Sequence, residues 1–207
     1  LLERILAERR AEHPGKKYKE PAGPDVSALP ELPEGWCWAQ VKQVGEVQLG
    51  RQRAPQHHQG PHMRPYLRVA NVYEDRIDTS DVLEMNFTPS EFETYQLHYG
   101  DILLNEGQSP EFLGRPAMYR DEVPGACFQN TLIRFQAASG VLPEYALAVF
   151  RHYLHSGRFQ KLSQITTNIA HLSAGRFAEL EFPLPPLIEQ ARIVDELDRH
   201  MSLADQT

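Results

Sequence analysis

Residues 131–155 read TLIRFQAASGVLPEYALAVFRHYLH, from Thr131 to His155, and the change of pattern inside this stretch decides the fold class. Thr131 to Phe135 is a short run of β-branched and aromatic residues, the composition of a strand, and Gly140 bounds it. Pro143-Glu144 then opens a helix, because proline is tolerated in a first turn and Tyr145, Val149, His152 and Tyr153 follow at three- and four-residue steps. That helix is expected to run to about His155, with a cap near Gly157. Working outward, Val41 to Leu49, Tyr66 to Tyr73, Gly100 to Leu104 and Ala117 to Tyr119 read as further short strands, each bounded by Gly, Pro, Asn or Asp. A second short helix is expected over Phe159 to Leu162, and Ser173 can cap a turn leading through Phe177 to Leu180. The body is therefore α+β: a single globular domain with a mixed, twisted sheet and short helices.

The ends read differently. Leu2, Ile5, Leu6 and Arg9 recur at helical spacing, so residues 1–13 read as the end of a helix, stopped by Pro14-Gly15. Residues 14–33, with Pro14, Pro21, Pro24, Pro30 and Pro33, read as a linker, which makes helix and core separate units. The core then occupies residues 34–184. Pro183-Leu184-Pro185-Pro186 breaks the chain again, and from 185 to 207 a helix begins in which Leu187, Val194 and Met201 fall seven apart, with Gln190, Leu197 and Ala204 between them. This is a heptad seam. An isolated helix below about 12–15 residues is marginal, so the seam requires a partner helix; the alternative is a surface helix packed on its own domain.

With 207 residues and 41% hydrophobic content, the chain can bury one real core. No run approaches the roughly 18 consecutive apolar residues of a membrane helix, and the N-terminus lacks the layout of a secretory signal, so a cytoplasmic protein is expected. Cys37 and Cys127 are too few for a disulfide framework and read as buried, reduced thiols. The opening Leu1-Leu2-Glu3, without methionine, suggests a fragment.

The net charge of −7 argues against nucleic acid on average, but the charges are unevenly placed along the chain. From Arg51 to Arg68 there are Arg51, Arg53, Arg64 and Arg68 with His57, His58 and His62, and no carboxylate. Between Glu144 and Glu179 a second acid-free run holds Arg151, Arg158, Lys161 and Arg176 with His152, His155 and His171. From Glu74 to Glu106, by contrast, nine acids face the single Arg76. If the basic runs meet in space they form a positive face on an acidic body; the alternative is a pair of ordinary solvated faces.

No catalytic pattern emerges. The phosphate-binding, dinucleotide, zinc-protease and serine-hydrolase motifs are missing, as is the Asn-Pro-Pro-aromatic run of amino-methyltransferases. His57, His58 and His62 invite a metal reading, but Gly60 and Pro61 interrupt any helix there and no Cys or acid completes the set, so no metal is expected. Glu106 and Gln108 follow an apolar strand without a partner acid or base, which favours hydrogen bonding over acid–base chemistry.

Three stretches resemble the specificity subunits of type I restriction-modification systems. They are the entry from Lys17-Tyr18-Lys19-Glu20-Pro21 through Leu32-Pro33-Glu34-Gly35-Trp36, the middle Gly100-Asp101-Ile102-Leu103-Leu104-Asn105-Glu106-Gly107, and the exit from Thr167-Asn168-Ile169-Ala170-His171-Leu172 through Pro183 to Gln190. The resemblance implies that 34–184 is a DNA target-recognition domain, the C-terminal one of two. Its flanks would be ends of conserved spacer helices that pair as an antiparallel coiled coil. It further implies no catalysis in this chain: methylation with S-adenosylmethionine would reside on modification subunits, and cleavage with ATP and Mg on a restriction subunit. The partners so implied are double-stranded DNA, those subunits, and a second recognition domain or half-subunit, with no membrane. A domain of this kind needs Arg for guanine, Asn or Gln for adenine and cations for phosphates. The candidates are Arg51, Arg53, Arg64, Gln108, Arg115, Lys161, Thr166, Thr167, Asn168 and His171, with Leu187, Val194, Leu197 and Met201 facing a partner. Two other readings stay open: a recognition domain cut from a fused restriction-methyltransferase, and a coiled-coil interaction module that reads no DNA.

Overall fold

A computed structural model describes residues 1–12, 20–162, 164–166 and 169–204. In chain order the elements are α1 (Leu2–Ala11), β1 (Cys37–Gln40), α2 (Val41–Val44), β2 (Gly45–Leu49), β3 (Met63–Leu67), β4 (Val72–Tyr73), β5 (Arg76–Ile77), β6 (Leu83–Asn86) and α3 (Pro89–Tyr95). They continue with β7 (Ile102–Asn105), β8 (Gly107–Gln108), β9 (Pro116–Met118), β10 (Cys127–Phe128), β11 (Leu132–Ala137), α4 (Pro143–His155), α5 (Arg158–Leu162), β12 (Gln164–Thr166), β13 (Ile169–His171), α6 (Ala174–Glu179), β14 (Glu181–Leu184) and α7 (Leu187–Ala204).

The organising layer is an antiparallel sheet in the order β2-β11-β7-β9, covered on both faces. Side chains alternate across a strand. Ile102, Leu104, Ile133 and Phe135 accordingly enter one core with α4 and α6, while Leu103, Ala117 and Leu132 enter a second with Leu67, Val72 and Phe128. Burial on both faces is why β7 is written as the continuous apolar run Ile102-Leu103-Leu104 and not as an alternation. Beside this sheet lies a mixed one, β10-β3-β6, in which β10 and β3 run parallel.

Phe150 of α4 is the hub of the first core, its ring meeting Phe135, Phe177 and Phe182 edge-on at centroid distances of 5.2, 5.0 and 6.1 Å. The Tyr145 and Tyr153 hydroxyls donate to the Pro183 and Glu181 carbonyls, fixing α4 across β14. Pro143 occupies the first turn of α4, and Gly157 follows its end at φ +71°, a left-handed conformation that favours glycine. Ser173 caps α6, its Oγ accepting from the Arg176 N–H at 3.1 Å.

Four expectations need correction. Val41 to Leu49 is not one strand: Val41–Val44 forms a helical turn because Val41 and Val44 point into the core. Gln43 locks that turn, accepting from the Gln40 N–H and donating to the Pro21 carbonyl. Tyr66 to Tyr73 is likewise broken after Leu67, where the buried Asn71 amide accepts from the Arg68 N–H and donates to the Asp78 and Asp81 carbonyls, winding Val69–Asn71 into a tight turn. The N-terminal helix is not a separate unit, since Ile5 and Leu6 are buried and Ile5 belongs to the main core. Cys37 is only partly buried; Cys127 is fully so, and burial pushes its thiol up to about 12.

The seam of α7 also behaves differently from a free coiled-coil stripe. Gln190 is completely buried: its Oε1 accepts from the Leu142 N–H at 2.9 Å, and its Nε2 donates to the Gly140 and Pro185 carbonyls, each at 3.1 Å. Ile193 and Val194 pack against the main core, whereas Leu187, Ile188, Leu197 and Met201 are exposed. The polar residue in the heptad is thus the anchor that docks the helix on its own domain.

Candidate nucleic-acid interface

The segments carrying the candidate residues are tied together by backbone hydrogen bonds around Gln129–Thr131. The Arg51 N–H donates to the Phe128 carbonyl, and the Asn130 N–H to that of Arg51. The Gln129 N–H donates to the Leu67 carbonyl, and the Val69 N–H to the Thr131 hydroxyl. On the other side the Glu106 N–H donates to the Thr131 carbonyl and the Leu172 N–H to that of Glu106. The approach is close enough that a Cβ at Gly50 would fall 2.2 Å from the Gln129 carbonyl oxygen. One rim of the molecule therefore gathers Gly50–Arg53, Leu67–Val69, Glu106–Gln108 and Ile169–His171.

The segregation of charge along the chain does not survive folding. Arginines of the acid-free runs meet carboxylates of the acidic segment: Arg51 with Glu91 and Arg151 with Glu74, both at 2.8 Å, and Arg68 with Asp81 at 2.5 Å. Arg158 pairs with Glu181 at 2.6 Å, and Arg176 donates to the Leu162 carbonyl. Burial pushes the Glu91 carboxyl up, but the Thr88 N–H and the Arg51 guanidinium outweigh it and hold the group below the ordinary range. Glu74, under His155 and Arg151, and Glu181, under Arg158, show the same balance.

Among the candidate residues, Arg51 has only 7% of its side chain exposed and lies 5.1 Å from the Phe87 ring, so it is committed to the interior. Arg53 and Arg64 are exposed, the Arg64 guanidinium lying 4.4 Å from the Phe92 ring. Arg115 donates twice to the Val72 carbonyl and sits between the exposed rings of Tyr73 and Phe112, at 4.6 and 5.0 Å, with burial lowering its pKa. Lys161 is exposed on α5. Gln108 and His171 stand on the sheet β12-β13-β8, in register Ala170↔Gln108 and His171↔Gly107, and Thr166 lies opposite Ile169. Thr167 and Asn168 lie outside the described residues. The sequence alone did not join Tyr73 and Phe112 to Arg115, nor Glu106 to His171, because these partners carry no shared motif. Among the described residues no group of three or more His, Cys, Asp or Glu is placed to hold a metal, and no helix is long and apolar enough to cross a membrane.

Residues 33–206 match the family described as Type I restriction modification DNA specificity domain. The chain belongs to this family. It is similar to the EcoKI specificity subunit of Escherichia coli and the StySPI specificity subunit of Salmonella potsdam, each 27% identical over 190 residues that cover 86% of this chain. It spans 38% of the length of either. In fold it is similar to the HsdS subunit of Thermoanaerobacter tengcongensis, with a TM-score of 0.61 at 19% identity over 99% of this chain and 44% of that one. A specificity-domain fold thus underlies the α+β architecture described above.

Proposed function

We propose that this specificity domain reads one half of a split DNA target and directs partner methyltransferase and endonuclease subunits to it. The observation that carries the reading is the rim itself: four segments distant in sequence, bearing Arg53, Gln108 and His171, are fastened around Gln129–Thr131. A rigid platform is what base discrimination needs, because phosphate contacts set the register and only fixed side chains distinguish base edges. Arg53, Arg64 and Lys161 are the exposed cations suited to phosphates, and Gln108, Arg115, Thr166, Thr167, Asn168 and His171 the groups suited to bases. On this reading residues 34–184 form the recognition domain, while 1–13 and 185–207 are ends of spacer helices. The protein acts in the cytoplasm and catalyses nothing itself, S-adenosylmethionine, ATP and Mg being handled by its partners. Family membership and the likeness to the EcoKI subunit support this assignment over a fused methyltransferase or a module that reads no DNA.

The test is selection of random duplexes on the native full-length protein, followed by sequencing and titration over salt. A defined half-site that maps to this domain supports the reading; binding without sequence preference overturns it.

A further inference from the structure

Glu74, Asp81 and Glu91 each meet an arginine, and Glu74 a histidine as well, whereas the partner of Glu106 is a histidine, the His171 Nδ1 lying 3.3 Å from its Oε2. The Glu106 backbone is held from both sides, by the Thr131 carbonyl at 2.9 Å and the Leu172 N–H at 2.7 Å, and a quarter of its side chain is exposed. A carboxylate fixed on a phosphate-binding rim is repelled by the backbone of DNA. It is compatible with that rim where it faces the floor of the major groove and accepts a hydrogen bond from a base. His171 occupies one oxygen, and an ionised carboxylate has a second with which to accept.

The geometry points to Glu106 as a specificity-determining residue that accepts a hydrogen bond from a cytosine N4 amino group, with His171 as the positioning residue. Cytosine fits because its major-groove edge offers that donor, whereas adenine sets its N7 acceptor beside its amino group, where it would repel the carboxylate. Guanine and thymine present acceptors at the corresponding place, which a carboxylate cannot satisfy. Gln108, two residues on, reads a neighbouring position with an amide that both donates and accepts. The inference rests on the DNA-reading proposal above and adds one base to it.

The experiment selects random duplexes on the native full-length protein, parent and Glu106→Gln, with Glu106→Ala and His171→Asn in parallel and thermal melting as the folding control. The parent is expected to fix a cytosine at one position of its site. Glu106→Gln should weaken binding to that site about tenfold and move the preference toward adenine, which a glutamine amide pairs through N6 and N7. Glu106→Ala should relax that position alone, and His171→Asn should weaken binding while keeping cytosine. If the parent selects a site and both Glu106 variants select the same one, the role of Glu106 is overturned while DNA reading stands. If the parent selects nothing, both fall together.

Discussion

The buried Arg51 guanidinium lies 2.8 Å from the partly exposed Glu91 carboxylate, tying the segment that follows β2 to the helix α3. A buried arginine of this kind serves the fold. Arg51→Ala is expected to lower stability by about 2 kcal/mol, because Glu91 would keep a partly desolvated charge without its partner. Arg53→Ala and Arg64→Ala should leave the urea midpoint unchanged and flatten the salt dependence of DNA binding by about one unit for each phosphate no longer neutralised. Equal effects of Arg51→Ala and Arg53→Ala on the salt slope, with no change in stability, would contradict this division.

Acid should unfold the domain through three carboxyls. Glu74, Glu91 and Glu181 sit below their ordinary 4.5 in the folded protein. The stability they contribute is complete above that value and is lost as pH falls through the folded values, since the unfolded chain then binds more protons. Asp101 has the opposite sign. Burial raises it above 3.8, so its ionisation opposes folding and the opposition fades in acid. The net expectation is a urea midpoint that drops between about pH 5 and about pH 3, and less steeply in Glu181→Gln.

What the sequence made legible was whatever local pattern alone determines. The twice-buried strand β7 and the proline-opened helix α4 read correctly because apolar runs and three- and four-residue spacings are local properties. The turn at Val41–Val44 did not, because Gln43 finds its acceptor at Pro21, in a stretch read as detached linker. Charge misled for the same reason: a run without acids says nothing of Glu91 meeting Arg51 across 40 residues. On the candidate rim Gln108 and His171 were legible as residue types. Their convergence depends on Gln129–Thr131, which carries no motif, and the pairing of Glu106 with His171 spans 65 residues.

The exposed half of α7 and its docked half should respond differently to a charge. Leu197→Asp and Met201→Asp should leave the melting temperature within about 2 °C of the parent, because both side chains are partly exposed and neither packs against the main core. If this face pairs with a spacer helix, the same changes weaken assembly on a sizing column. Val194→Asp should instead destabilise the domain itself by about 2–4 kcal/mol, since the new carboxylate would press against the main core.

Gln190 is the position at which α7 is fastened. Replacing it by leucine keeps the volume but removes one acceptor and two donor interactions, leaving the Leu142 N–H and the Gly140 and Pro185 carbonyls without their partner in a buried place. Each unsatisfied group costs about 1–3 kcal/mol, so the loss exceeds anything the added methyl groups return. The helix need not unfold the domain when it lets go, because Phe150 and its ring partners hold α4 to the sheet independently. Hydrogen exchange in Gln190→Leu should therefore accelerate in α7 and in the N-terminal turn of α4, while amides of β7 and β11 keep most of their protection. Uniform acceleration across all four elements would mean that α7 belongs to the same cooperative unit as the central sheet.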